Sequence, residues 1–325
     1  MEVYARRRRV LERNKKVAIT KTEKPISKTI STPVTRTINW KDVLGKLIVY
    51  ILLTTGAIIF IAPWAWMVSA SFQPIGKIFN WPPNWIPEVF TLNNYRKFLK
   101  AEGFFRWVLN SGFLAVIVLV VQMFFNSLAA YTFAKRKFPG RDALFLLMLG
   151  TLMIPGQLFL IPNYLILLRS PLFGGNNILG VGGHGMLDSF WGIIIPYAFS
   201  VWSVFFMRQY MKGIPDDLLD AARMDGASEF TIYRKVILPL CGPVLAAQAI
   251  FTFTFVWNDF FWPLIVISDP KLRTLQLGLA LFVIKNRTVW DIVFAGSVIS
   301  TLPVLLIFIF FQKYFIRGIA LTGMK

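Results

Sequence analysis

Along the chain, long runs without a charged residue alternate with short, mostly basic connections. Charge-free runs occupy 47–76, 107–134, 143–168, 189–207, 236–258 and 292–312, and the shortest has 19 residues. About 20 apolar residues carry a helix across the hydrocarbon core. The runs lack the strict alternation of a half-buried strand, and a spanning barrel needs many short strands. The pattern predicts an all-α membrane protein with six transmembrane helices, at about 47–69, 107–134, 143–168, 189–207, 236–266 and 292–312. A basic arm, 1–46, precedes this 47–325 transmembrane domain. A seventh stretch, 274–284, has only 11 uncharged residues. It is too short to span and reads as an interfacial or re-entrant helix. Pro63, Pro155, Pro162, Pro196, Pro243, Pro263 and Pro303 interrupt the spans, where proline is tolerated and produces kinks.

Composition narrows the class. The chain is 56% hydrophobic and 16% charged, against about 25% charged in soluble domains, and its mean hydropathy is +0.59. That excludes a soluble enzyme, a disordered tail and a secreted disulfide scaffold. One cysteine, Cys241, and one histidine, His184, leave neither an internal bridge nor a multi-histidine metal site.

The net charge of +19 changes the picture only through its location. Residues 1–46 hold 13 Lys/Arg against 4 acids. The row Arg6, Arg7, Arg8, Arg9, with Ser, Thr and Pro scattered behind it, predicts a disordered segment drawn to anionic lipid headgroups rather than to nucleic acid. It lacks the early apolar core of a signal peptide. Lys/Arg counts also set direction. With the N-terminus inside, the inner segments carry 25 and the outer ones 10. Lys135, Arg136, Lys137 and Arg141 form the clearest local signal. Both termini are expected in the cytoplasm and the protein in the cell membrane.

No nucleophile triad, phosphate loop or metal cluster is legible, so no catalytic or metal site is expected. His184 reads as part of the glycine-rich outer loop 174–185. Asp259 is the acid well inside an apolar run, and an intramembrane carboxylate is a functional candidate. Trp257, Asn258 and Asp259 are therefore candidate pathway residues. Hydrogen bonding of Asp259 to its neighbours is the structural alternative.

The cytoplasmic loop 208–235 carries more information. Pro215 suits a helix start, Asp216, Asp217 and Asp220 suit the positive end of its dipole, and Gly226 can end it in a left-handed turn. Ser228 and Glu229 open a second helix, with Phe230, Tyr233 and Ile237 on one face. Leu218, Ala221 and Ala222 form a small apolar face on the first helix, which projects into water and needs a partner.

The string DAARMDG, nine residues, then VILP resembles the EAA loop of ABC-importer permeases. Asp220, Ala221, Ala222, Gly226, Val236, Leu238 and Pro239 occupy matching positions, and Asp225 lies within the motif. Asp220 and Val236 are conservative departures from Glu and Ile. Further stretches extend the resemblance over about 280 residues: Pro63-Trp64, Trp81-Pro82-Pro83, Asn94-Tyr95, Phe138-Pro139-Gly140-Arg141, Met153-Ile154-Pro155, Trp257-Asn258-Asp259-Phe260, and the ending 317–323. They are similar to the carbohydrate-uptake branch, on the side of the shorter maltose-type permease. The arm 1–40 and the insertion 169–185 lie outside the pattern.

The resemblance implies a type I importer permease fold with a cytoplasmic coupling helix at 216–224. It implies a second, different permease, two ATPase subunits inside and a sugar-binding protein outside. ATP and magnesium would be bound by the ATPase, leaving no cofactor in this chain. The segment 267–290, flanked by Lys271, Arg273, Lys285 and Arg287, is expected to touch the binding protein or to rest on lipid. Trp202, Tyr197, Asn258, Gln248, Gln122 and Asn126 are the span residues suited to a sugar. Glycerol-phosphate or polyol cargo and an ion-coupled secondary transporter are the alternatives.

Overall fold

The computed structural model describes residues 40–283 and 288–322, with side chains for 43–283 and 288–313. The arm 1–39, Lys285, Arg287 and the side chains of the 317–323 motif lie outside the described residues. The described chain is helical, with no strand, and divides into two compact units at Phe60. In the first unit the described residues belong to helix α1 (Trp40–Ser71). Its large apolar side chains up to Phe60 are exposed, as suits a helix apolar all round in hydrocarbon.

The second unit begins within α1 at Ile61. It continues through α2 (Asn93–Leu99), α3 (Phe104–Lys135), α4 (Arg141–Gly150), α5 (Leu160–Leu168), α6 (Trp191–Tyr197) and α7 (Val201–Lys212). The short helix α8 (Asp217–Met224) follows, then α9 (Glu229–Leu240), α10 (Gly242–Asn258), α11 (Phe261–Val266), α12 (Leu275–Ala280) and α13 (Trp290–Thr322). Three helices are long and apolar enough to span alone: α1, α3 and α13. The pairs around α4–α5, α6–α7 and α9–α10 complete six spans, bent by 96°, 41° and 80°.

Prolines explain which spans break. Pro63 and Pro303 sit inside unbroken helices. Before Pro155, Ile154 is extended at φ −89°, ψ 122°, because the proline ring disfavours the α region in the preceding residue. The third span is therefore two nearly perpendicular helices rather than one kinked one. α6 contains Pro196 and ends at Tyr197, and Ser200 restarts the chain by accepting from the Ser203 N–H. Within the fifth span the helix α10 starts at Gly242, with Pro243 in its first turn, and stops at Asn258.

Two apolar cores lie within this unit. One gathers Phe98, Trp107, Leu114, Ile193, Phe253 and Leu275. The other, near the loop 208–235, gathers Tyr131, Met207, Met211, Leu219, Ile232 and Ile237. α10 packs on α13 and α3, and α3 on α7. Small residues allow the close approaches that membrane helices rely on. A Cβ on Gly278 would lie 2.2 Å from the Trp107 ring.

Within the 274–284 stretch, helix α12 packs into the protein, which the re-entrant alternative allows, with Leu275 1% and Leu277 6% exposed. Asn110 on α3 donates to the carbonyls of Lys271 and Arg273, both at 2.9 Å, and Ser111 Oγ accepts the Leu275 N–H at 2.8 Å. These bonds satisfy backbone that lipid could not. The insertion is also well built. Asn176 Nδ2 donates to Leu168 and Ser170 carbonyls, its Oδ1 accepts from Gly183, and His184 Nδ1 lies 2.9 Å from Leu187 O.

Candidate functional site

Two places carry chemistry: the loop 208–235 and a cavity among α3, α6, α7 and α10. In the loop, α8 has Asp217 and Asp220 in its first turn. It ends in paired hydrogen bonds, Gly226 N–H to Arg223 O and Ala227 N–H to Ala222 O, both 3.0 Å. This Schellman stop requires a left-handed residue. Gly226 supplies it at φ 79°, with open space where a Cβ would stand. Asp225 is the exposed residue before it.

The faces of α8 differ from the sequence reading. Leu219, 1% exposed, is the residue turned into the core, and Ala222 packs half-buried beside it. The outward apolar residues are Leu218, Ala221 and Met224, the last 89% exposed. Ala222 therefore belongs to the side that holds α8 in place. In α9, Val236 and Leu238 are half-buried against the same core, and Pro239 is exposed. A π turn, Tyr233–Ile237, precedes that proline, which cannot donate a helical hydrogen bond. Ile232, Tyr233 and Ile237 are buried, whereas Phe230 stays on the rim, 5.8 Å from the Tyr233 ring.

Glu229 joins the loop to the end of α3. Its carboxylate accepts from Tyr131 OH at 2.7 Å and from Arg223 Nε at 3.0 Å, and pairs with Arg136. Arg223 also reaches Asp220 at 2.6 Å. Burial alone would raise the Glu229 pKa, but Tyr131 and the two guanidinium groups outweigh it and hold the carboxyl below its ordinary value. Nearby, Lys135 Nζ donates to Ile214 O and to Asp216, 2.7 Å away, and that hydrogen bond keeps the Asp216 pKa low. The sequence reading missed this hub of Tyr131, Arg136 and Glu229. Its visible signal was Arg136 in the basic cluster at the end of the second span.

The cavity holds about 490 Å³. Gln122, Ser203, Gln248 and Thr252 form its polar side: Thr252 donates to Gln122 Oε1 at 3.0 Å, and Gln248 Nε2 donates to Ser203 Oγ and to Thr252 Oγ1. Gln122 Nε2 is spent on Tyr197 O at 2.7 Å. Trp202 and Phe251 meet edge to face at 5.5 Å, as do Tyr197 and Phe255 at 5.2 Å. Of the residues suited to a sugar, Gln122, Tyr197, Trp202 and Gln248 are brought together here. Asn126 lies behind, accepting the Ser200 N–H, and Asn258 stands apart, beside Gln276. Ser203 and Thr252 escaped the sequence reading, although Gln248 and Thr252 are one helical turn apart within an apolar run.

The 257–259 triplet does not line the cavity. Trp257 is buried, its indole N–H donating to Ser300 O at 2.8 Å. Asp259 caps the following turn through Trp262 N–H and accepts from Tyr197 OH at 2.8 Å. It acts on the cavity only by fixing the Tyr197 ring.

Residues 122–321, more than half the chain, match the family of binding-protein-dependent transport system inner membrane components. The chain belongs to that family. This permease is 35% identical over 281 residues to the arabinooligosaccharides transport system permease AraQ of Halalkalibacterium halodurans, covering 84% of this chain and 96% of that one. It is 39% identical over 241 residues to AraQ of Bacillus subtilis, covering 74% and 80%. A solved bacterial ABC transporter that imports the acidic polysaccharide alginate shares the fold, with a TM-score of 0.71 at 23% identity, over 85% of this permease and 98% of that chain. The family and the fold agree with the resemblance carried by the EAA-like loop.

Proposed function

We propose that this permease forms half of the membrane pathway of an ATP-driven carbohydrate importer. It pairs with a second, non-identical permease, with two ATPase subunits inside and a sugar-binding protein outside. Nucleotide and magnesium belong to the ATPase, and hydrolysis occurs there. Both termini lie in the cytoplasm. The carbohydrate cargo rests on the likeness to AraQ.

The observation that carries the ATPase-docking role is α8 itself. It is braced from within by Leu219 and Ala222, and through Glu229 and Lys135 to the end of α3, yet it turns Leu218, Ala221 and Met224 outward. A rigid helix with an unpartnered apolar face at the end of the bundle suits a groove in a moving partner. Closure of that partner would then rock the spans between two packings. Asp220, Asp225 and Gly226 set its acid edge and its end. Contacts between segments also support the pairing of loops on each side. The basic 135–141 cluster pairs with the loop through Lys135 and Arg136, while Asp188 Oδ1 accepts the N–H groups of Ser268 and Asp269 at the other end. Asp259 is engaged by Tyr197 and Trp262, which leaves an ion-coupled mechanism without a free carboxylate there.

Purification of the assembled importer carrying Ala221→Trp tests the docking role. The indole projects from the outward face, so the variant should insert, keep the partner permease and lose the ATPase. If the ATPase is retained, its hydrolysis should be uncoupled and uptake should fall at least tenfold. Wild-type uptake with the ATPase still bound would remove α8 as the docking site.

A further inference from the structure

We infer that this permease carries its own sugar subsite, the cavity of Gln122, Trp202, Ser203, Gln248, Thr252 and Phe251, and that it accepts an uncharged sugar ring. The inference rests on the carbohydrate-importer reading above. The cavity's volume of about 490 Å³ falls within the roughly 300–1,000 Å³ typical of small-molecule pockets. Its walls divide by chemistry. On one side Trp202, stacked on Phe206 at 5.3 Å, and Phe251 present aromatic surface to the C–H faces of a ring. On the other, two side-chain amides and two hydroxyls form a connected network suited to sugar hydroxyls.

That network is incomplete. Gln248 is 1% exposed, and one end of its amide has no partner. Turning the amide over exchanges its oxygen and nitrogen but leaves one end unpaired. A buried amide group without a partner is costly. The unpaired end is itself buried, so a sugar hydroxyl, which both donates and accepts, answers it in either orientation once the Gln248 side chain turns toward the cavity.

Selectivity follows from charge. None of the described residues lining the cavity is charged. A uronate or a sugar phosphate entering it would shed water and find no counter-charge, and an isolated anion in such surroundings is strongly disfavoured. An uncharged ring loses only hydrogen bonds that the network can replace.

The test uses the complete importer, with its partner permease, ATPase and binding protein, in proteoliposomes. ATP-dependent uptake is measured for a mixture of uncharged arabino-, malto- and galacto-trisaccharides and, separately, for trigalacturonate. The uncharged mixture should enter at least tenfold faster. Gln248→Leu and Trp202→Leu should each slow that uptake at least tenfold in importers that assemble intact, and Trp202→Phe, which keeps an aromatic face, should restore most of it. Should Gln248→Leu fail to assemble, Thr252→Val carries the same expectation. Preference for trigalacturonate, or wild-type uptake by the Leu and Val variants, would overturn the subsite while leaving the carbohydrate importer standing. Absence of ATP-dependent uptake of either kind would instead remove the importer reading, and the subsite with it.

Discussion

The α8 end of the bundle and its middle solve the same problem, holding polar groups in an apolar protein, by opposite means. At the α8 end the polar groups are charged and paired. Glu229 binds Tyr131, Arg136 and Arg223, and Lys135 binds Asp216. Arg208, only 5% exposed, lies 3.7 Å above the Phe145 ring and donates to Phe133 O. In the cavity, Gln122, Ser203, Gln248 and Thr252 are all neutral. The cause is the cost of desolvating a full charge, which falls steeply toward water. Charges near the aqueous edge can orient a helix that must transmit force. Neutral groups deeper in can contact cargo without trapping an ion.

Exchanging the two chemistries should break this division most severely. Gln248→Lys puts an ammonium where no acid can reach it, at a cost of about 2.5–3.5 kcal/mol on membrane-insertion scales. The expected outcome is loss of folded, detergent-stable protein, measured by thermal unfolding on size-exclusion chromatography. A variant as stable as wild type would show that the cavity tolerates charge.

A smaller effect is expected at the α8 end from Gly226→Val. Its φ of 79° costs an ordinary L-residue about 1–2 kcal/mol, and a β-branched one is a poorer fit still. Because nothing crowds the position, the strain should mis-aim α8 without unfolding the spans. Normal insertion with transport reduced several-fold is expected. A melting temperature lowered as far as that of Gln248→Lys would mean the loop and the spans do not separate.

The smallest effect sharpens the contrast. A double-mutant cycle on Lys135→Met and Asp216→Asn should return about 0.2–1 kcal/mol, since the Asp216 side chain is 74% exposed and water screens the pair. The pH dependence has a definite sign. With its pKa lowered by Lys135, Asp216 contributes stability that is full above the ordinary aspartate value of about 3.9. That contribution is lost as pH falls below it. The coupling energy from the cycle should stay flat between pH 5 and 8 and vanish in stronger acid. Loss near neutrality would assign the contact to another group.

Much of this architecture is legible residue by residue. The apolar runs place α1, α3 and α13, and the acids after Pro215 together with Gly226 mark α8 and its stop, because capping and φ preference are local. Burial is less legible. Leu218, Leu219, Ala221 and Ala222 are all apolar or small, and spacing alone did not show that Leu219 and Ala222 face inward. The stretch 274–284 carries the hydropathy of an interfacial helix. Only Asn110, Ser111 and Trp107, more than 160 residues away in sequence, show it to be embedded.

Hydropathy by itself therefore determined that this is a helical membrane protein with six apolar runs, since the cost of moving a segment between water and hydrocarbon is set by that segment's own residues. Tertiary structure decided the rest. It turned Trp257 into the core and used Asp259 as a cap. It also built a cavity from Gln122, Tyr197–Ser203 and Gln248–Phe255, whose partners stand 75 and 126 residues apart. An apolar residue reads alike in sequence whether lipid or protein surrounds it. Only packing between distant helices distinguishes the two.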